Sequence, residues 1–242
     1  MGKVVSIVSG NGGVGKSTFA VNAGCLLASR GYKTLLLDLN FSSRSLDLYT
    51  GTQNLALYNV YDILSGLCKV EDAVIRTGFS KNLLLIPAMQ NLDGVDIDKE
   101  KLDAFIDDVS ERYEFVFIDC MAGYNGIVEA VTAKSDETVM VTTPDYVAVR
   151  DVEMLEDNLI RNGVANRSYV LNKMISVLLE KKIEPDIDYV TSHIKSELLG
   201  MIPNDFNIRM SANIGVPIVI KADTYIAENF HKIVDRLLTR IG

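Results

Sequence analysis

The chain has 242 residues, 48% hydrophobic and 23% charged, with a net charge of −8. That composition excludes a disordered chain and gives ample apolar material for one core, and its acidity disfavours indiscriminate binding to phosphate backbones or anionic lipid. Cys25, Cys68 and Cys120 have no metal spacing, no apolar run is long enough to span a bilayer, and the start is broken by glycine, so the expectation is a cytoplasmic protein with reduced thiols.

Short apolar runs alternate with helical patterns along the chain. Residues 3–9 (KVVSIVS) predict a first buried strand, and residues 16–30 a helix ended by Gly31. Residues 34–39 (TLLLDL) predict a second strand, residues 60–67 and 70–77 short helices, and residues 82–87 (NLLLIP) a third strand. The polar stretch 91–101 predicts a loop rather than a domain boundary. Residues 98–113 predict a helix, with Leu102, Phe105, Ile106 and Val109 at helical spacing. Strands follow at 115–119 (FVFID) and 138–142 (TVMVT), a long helix at 147–161, and strands at 169–172 and 198–202. A last helix runs from about Thr224 to the end. Strands without polar alternation, separated by helices, predict a single α/β domain over 1–242. It is a three-layer fold with a mostly parallel sheet of seven or eight strands and helices on both faces.

The strongest motif is Gly10-Asn11-Gly12-Gly13-Val14-Gly15-Lys16-Ser17-Thr18, which fits G-x-x-x-x-G-K-[ST] between a predicted strand and a predicted helix. Its glycines let backbone N–H groups turn inward around phosphates, and the helix N-terminus adds partial positive charge. Lys16 can reach the β- and γ-phosphates, and the Ser17 hydroxyl can bind Mg²⁺. Asp38 and Asp119, each at a strand end, are the carboxylates such a site uses near the metal or the attacking water. Gly10-x-Gly12-x-x-Gly15 with Asp38 also fits a dinucleotide fingerprint, but that reading leaves Lys16-Ser17 unexplained. Cys120 reads as a small buried hydrophobe, since no His or second Cys accompanies it.

These residues resemble the MinD/ParA family of P-loop ATPases, whose loop is K-G-G-x-G-K-[ST]. The likeness covers nearly the whole chain. Asp38-Leu39-Asn40 followed by Arg44-Ser45-Leu46-Asp47-Leu48 is similar to the first switch of MinD-like proteins, and Asp119-Cys120-Met121-Ala122-Gly123 to the second. Thr143-Pro144-Asp145 and Arg150-Asp151 resemble the segment facing the partner subunit in the family's dimers. Asn172, Pro203, Asn204 and Asp205 fit the places where the family holds the adenine ring. The resemblance implies ATP or ADP with Mg²⁺ as ligands and a homodimer in the ATP state. It further implies a regulatory protein partner and a role in placing a division site, flagellum or pilus.

Two positions depart from the family pattern. The lysine that opens the loop and reaches the partner's nucleotide is here Asn11, and the second aspartate of D-x-D, which positions the attacking water, is Asn40. Asn11 supplies no cation, and Asn40 cannot accept a proton from water. Slow or partner-dependent hydrolysis is therefore expected. A non-hydrolysing scaffold is the alternative. A DNA-bound partition protein is disfavoured by the net charge of −8. Ile226, Phe230, Ile233, Val234, Leu237, Leu238 and Ile241 form an apolar stripe, expected to close the fold rather than bind lipid.

Overall fold

The computed structural model describes residues 1–90, 97–220 and 224–242. In chain order the elements are β1 (Lys3–Val8), α1 (Lys16–Ser29), β2 (Thr34–Leu39), α2 (Leu46–Tyr49), α3 (Val60–Leu64), α4 (Val70–Ala73), β3 (Ile75–Arg76) and β4 (Leu83–Ile86). They continue with α5 (Lys99–Arg112), β5 (Phe115–Cys120), α6 (Gly126–Ala133), β6 (Glu137–Thr142), α7 (Tyr146–Arg161), β7 (Arg167–Met174), α8 (Ser176–Glu180) and α9 (Ile187–His193). The last are β8 (Glu197–Pro203), α10 (Phe206–Asn213), a 3₁₀ turn (Ile218–Ile220) and α11 (Tyr225–Ile241).

The strands form one eight-stranded sheet in the order β3-β4-β2-β5-β1-β6-β7-β8. Every pairing is parallel except β3 with β4. β2, β5 and β6 are buried at every position, because helices cover both faces and no side of these strands meets water. Glu137 in β6 is buried yet ion-paired with Arg240 of α11. The apolar residues divide into two cores, one on each face of the sheet.

One core is centred on α1, which packs on β2 and β5 with α11 beside it on the same face of the sheet. Its run of small residues lets it approach closely: a Cβ on Gly24 would sit 2.6 Å from Leu36 Cδ2. Phe19 of α1 stacks on Phe230 of α11 with ring centroids 6.4 Å apart. The stripe on α11 is accordingly buried at Ile226, Phe230, Ile233, Val234, Leu237 and Ile241. It closes the fold against α1 and β8, as its spacing predicts. Arg236 donates to the Leu199 carbonyl (2.7 Å) and Arg240 reaches Glu197 (2.6 Å), fixing the helix along β8.

The structure corrects the sequence reading at several points. The predicted helix 70–77 stops at Ala73, and Ile75–Arg76 instead pairs antiparallel with β4 as an edge strand. The predicted helix 60–67 ends at Leu64, where Gly66 takes φ 79 and breaks it. Of the predicted loop 91–101, residues 91–96 lie outside the described residues. Its end is helical, with Asp98 accepting from Glu100 N and Lys101 N as the N-cap of α5. Helices α2, α6, α8, α9 and α10 have no counterpart among the predicted elements.

Candidate functional site

The carboxyl ends of β1, β2, β5 and β7 converge on one cavity of about 670 Å³, at the edge expected for ligands in an open α/β sheet. β1 runs out at Val8, and Gly10 to Gly15 turn the chain into α1. Gly13 (φ 76) and Gly15 (φ 102) take left-handed backbone that other residues adopt only with strain. Gly12, Gly13, Gly15, Lys16, Ser17 and Thr18 line the cavity.

Lys16 is only 5% exposed. Its Nζ donates to Ser9 Oγ (2.8 Å), and Ser9 Oγ donates to the Asn11 carbonyl (2.6 Å). Burial pushes the Lys16 pKa down, and the nearby Asp119 carboxylate pulls it back up. Ser17 Oγ donates to Asp119 Oδ2 (2.5 Å) and accepts from Ser45 Oγ (2.8 Å). The helix start, the end of β5 and the loop after β2 therefore meet at one hydroxyl.

Asp38 and Asp119 lie opposite one another in the β2–β5 register, both fully buried. Burial first, then the neighbouring Asp119 charge, pushes Asp38 up to about 8. Burial also raises Asp119, to about 6, against the opposing pull of Ser17 and Lys16. Asp38 is not idle: Oδ1 accepts from Asn40 N (2.9 Å), and Oδ2 accepts from Ser45 N and Leu46 N (3.1 Å each). It ties down the loop that carries Asn40. Arg44 adopts φ 36 in that loop and pairs through Nε with the buried Asp47 (2.8 Å).

Among the described residues no group of three or more His, Cys, Asp or Glu could hold a metal ion. Mg²⁺ usually takes one or two protein ligands and completes its shell with substrate phosphates and water. Among the described residues Asp119 Oδ1 is buried without a hydrogen-bond partner, so the donor set has an acceptor to spare for a hydrated cation. The residues present fit the ion.

The remaining sequence candidates divide clearly. Asn40 lines the cavity, and its Oδ1 accepts from Ser42 Oγ (2.8 Å). Asn11 is half-buried and does not line the cavity. Val14 is buried behind the loop. Pro203, Asn204 and Asp205 line the far wall together. Asp205 also caps α10, accepting from Asn207 N (2.7 Å) and from the Tyr225 hydroxyl. Asn172 lines the cavity, but its amide is engaged: Nδ2 donates to the Val14 carbonyl (2.7 Å) and Oδ1 accepts from Lys173 N (2.9 Å). Ser42, Ser43, Ser45 and Ala122 also line the cavity, as do Lys173, Tyr49, Ile208, Arg209, Ala212 and Asn213, which the sequence does not single out. The Asp205 cap was the available signal for α10 and its cavity-facing residues.

An AAA domain family model matches residues 2–176. A putative septum site-determining protein MinD of Chlorella vulgaris is 36% identical over 220 residues, covering 90% of this chain and 78% of that relative. The chain belongs to the MinD/ParA family of P-loop ATPases. Solved MinD structures share its architecture. The MinC:MinD cell division complex of Aquifex aeolicus superimposes with a TM-score of 0.91 at 26% identity, over 98% of this chain and 96% of that one. MinD of Pyrococcus horikoshii OT3, complexed with Mg-ADP, gives 0.87 at 28% identity, over 98% and 96%.

Proposed function

We propose that the chain is an ATP-binding, nucleotide-dependent dimerising switch of the MinD/ParA type, working in the cytoplasm to position a cellular machine. The observation that carries the reading is one cavity joining the Gly12–Thr18 loop, Asn40 and the Pro203–Asp205 wall, with Asp38 and Asp119 buried beneath. Lys16 and the loop N–H groups bind the phosphates, while Pro203, Asn204 and Asp205 border the base, with Asn172 beside them. Ser17 would hold Mg²⁺ directly, with Asp119 and Asp38 acting on it through water. Bound there, the ion would supply positive charge to offset that of the phosphates.

Hydrolysis in the isolated protein is slow. Asn40 can orient a water but not deprotonate it, and Asn11 offers no cation to a second subunit. A positioned base is worth about 10²–10⁴ in rate and a cation acting in trans about 10³–10⁵. Release of the paired state then depends on a regulatory protein or on nucleotide exchange. MinC stands beside MinD in the Aquifex complex, which supports a protein partner for this chain.

Calorimetry with Mg·ATP tests the binding, and multiple-turnover phosphate release tests the chemistry. The parent should bind ATP, and Lys16→Ala should weaken that binding by at least about tenfold. Equal affinities would remove Lys16 from the site. Tight binding with no release above the buffer rate, alone or with a partner, would favour the non-hydrolysing scaffold.

A further inference from the structure

The end of β7 grips the phosphate loop with two consecutive side chains. Asn172 Nδ2 donates to the Val14 carbonyl (2.7 Å) and Lys173 Nζ to the Gly13 carbonyl (2.6 Å), across more than 150 residues of sequence. The Asn172 amide has one workable orientation. Turned over, its oxygen would face the Val14 carbonyl and its NH₂ the Lys173 N–H. Lys173 holds φ 57, a left-handed conformation that a residue with a side chain adopts only at a cost. The contact is close enough to exclude other residues at position 15, where a Cβ would lie 2.1 Å from Asn172 Nδ2.

We propose that Asn172 and Lys173 are positioning residues that hold the phosphate loop open for an anion before any nucleotide arrives. In a trans peptide the N–H points opposite to the carbonyl of the same plane. Drawing the Gly13 and Val14 carbonyls toward β7 turns the Val14 and Gly15 N–H groups the other way, into the cradle. Among the described residues, neither N–H has a backbone partner. Two aligned, unspent donors are what a phosphate oxygen requires, and fixing them beforehand removes an ordering cost from binding. The Lys173 ammonium also places a cation at the rim of a loop whose first residue, Asn11, carries none. The clamp acts on the phosphates, so it serves di- and triphosphate alike. This inference rests on the nucleotide-binding reading above.

The decisive comparison is Lys173→Met, Lys173→Gly and Lys173→Arg against the parent. Lys173→Gly removes the ammonium and relieves the left-handed strain together, so fold stability and loop positioning move in opposite directions. Two readouts apply: hydrogen exchange of the peptide spanning residues 10–18 in nucleotide-free protein, and calorimetric affinity for Mg·ADP and Mg·ATP. Lys173→Met and Lys173→Gly should exchange faster in that peptide and bind both nucleotides about three- to tenfold more weakly, a fraction of a full charged hydrogen bond because Lys173 is exposed. Lys173→Gly should do so with an undiminished melting temperature, and Lys173→Arg should restore most of the loss. Unchanged exchange and affinity in Lys173→Met and Lys173→Gly would overturn the clamp. Failure of the parent to bind nucleotide would instead overturn the proposed function, while faster loop exchange in the variants would still uphold the clamp.

Discussion

Asp38 and Asp119 are two carboxylates facing each other on adjacent buried strands, and burial raises both. Lys16 offsets part of the Asp119 charge, but the arrangement still costs stability, because two like charges cannot both ionise cheaply in such a place. Asp119→Asn keeps an acceptor for Ser17 Oγ and removes one of the charges. The nucleotide- and metal-free variant should therefore melt about 2–4 °C higher, corresponding to about 1 kcal/mol in a chain of this size. Its nucleotide affinity should lose most of its Mg²⁺ dependence. Scanning calorimetry in EDTA and titrations with and without Mg²⁺ check both halves. A lower melting point would show that the fold depends on the charge itself. A second buried group makes a contrasting case. The Tyr169 hydroxyl has no hydrogen-bond partner among the described residues, and burial pushes its pKa up to about 12. Tyr169→Phe deletes an unsatisfied polar atom without opening a cavity, so urea unfolding should shift by no more than about 0.5 kcal/mol. A loss of 2 kcal/mol would reveal a bridging water at that hydroxyl.

Elements differ in how much of their stability they owe to their own sequence. α11 carries a long apolar stripe, and Phe230 at its centre is fully buried against Phe19. Phe230→Ala should cost about 3–5 kcal/mol in chemical denaturation, the usual range for an aromatic deleted from a packed core. A loss below 1 kcal/mol would mean that α11 peels from the sheet without disturbing it. This helix and the central strands were legible in the sequence because their burial is continuous: TLLLDL and FVFID read as two-sided core strands. β3 was not legible, since two residues, Ile75 and Arg76, become a strand only by pairing with β4. α8 buries no residue and α10 only Ser211, so neither has a stripe for periodicity to detect. The candidate site divides along the same line. Its phosphate half lies in one unbroken stretch from Gly10 to Thr18 and could be read at once. Its far wall is contributed partly by α10, whose cavity-facing residues are neither contiguous nor apolar in pattern. Lys173 carries no signal of its own, because a lysine at a strand end is ordinarily a solvated charge.

At the scale of the whole molecule, the net charge of −8 and the burial of the α11 stripe lead to one expectation: this chain should stay in the supernatant when sedimented with anionic vesicles, with or without ATP. ATP-dependent pelleting would mean that α11, or a surface formed by pairing, meets lipid. Pairing itself is tested through the two asparagines. Asn40 sits on the cavity wall, held by Asp38 through its N–H and by Ser42 through its side chain. Asn40→Asp keeps a group that accepts the Ser42 hydroxyl and adds a carboxylate able to take up a proton from water. Its effect should be independent of protein concentration, since all its parts belong to one subunit. Asn11 lies outside the cavity lining, so a cation there serves a neighbour's phosphates better than its own. Asn11→Lys should therefore act only when two subunits meet. The double reversion should raise phosphate release by at least about tenfold, a small share of what a base and a trans cation usually contribute. Its rate per subunit should climb with protein concentration and level off as pairing saturates, whereas the Asn40→Asp rate should stay flat. If the double revertant is faster but equally flat, the lysine works within its own subunit and the chemistry needs no dimer. If the parent already matches the double revertant, another residue positions the water.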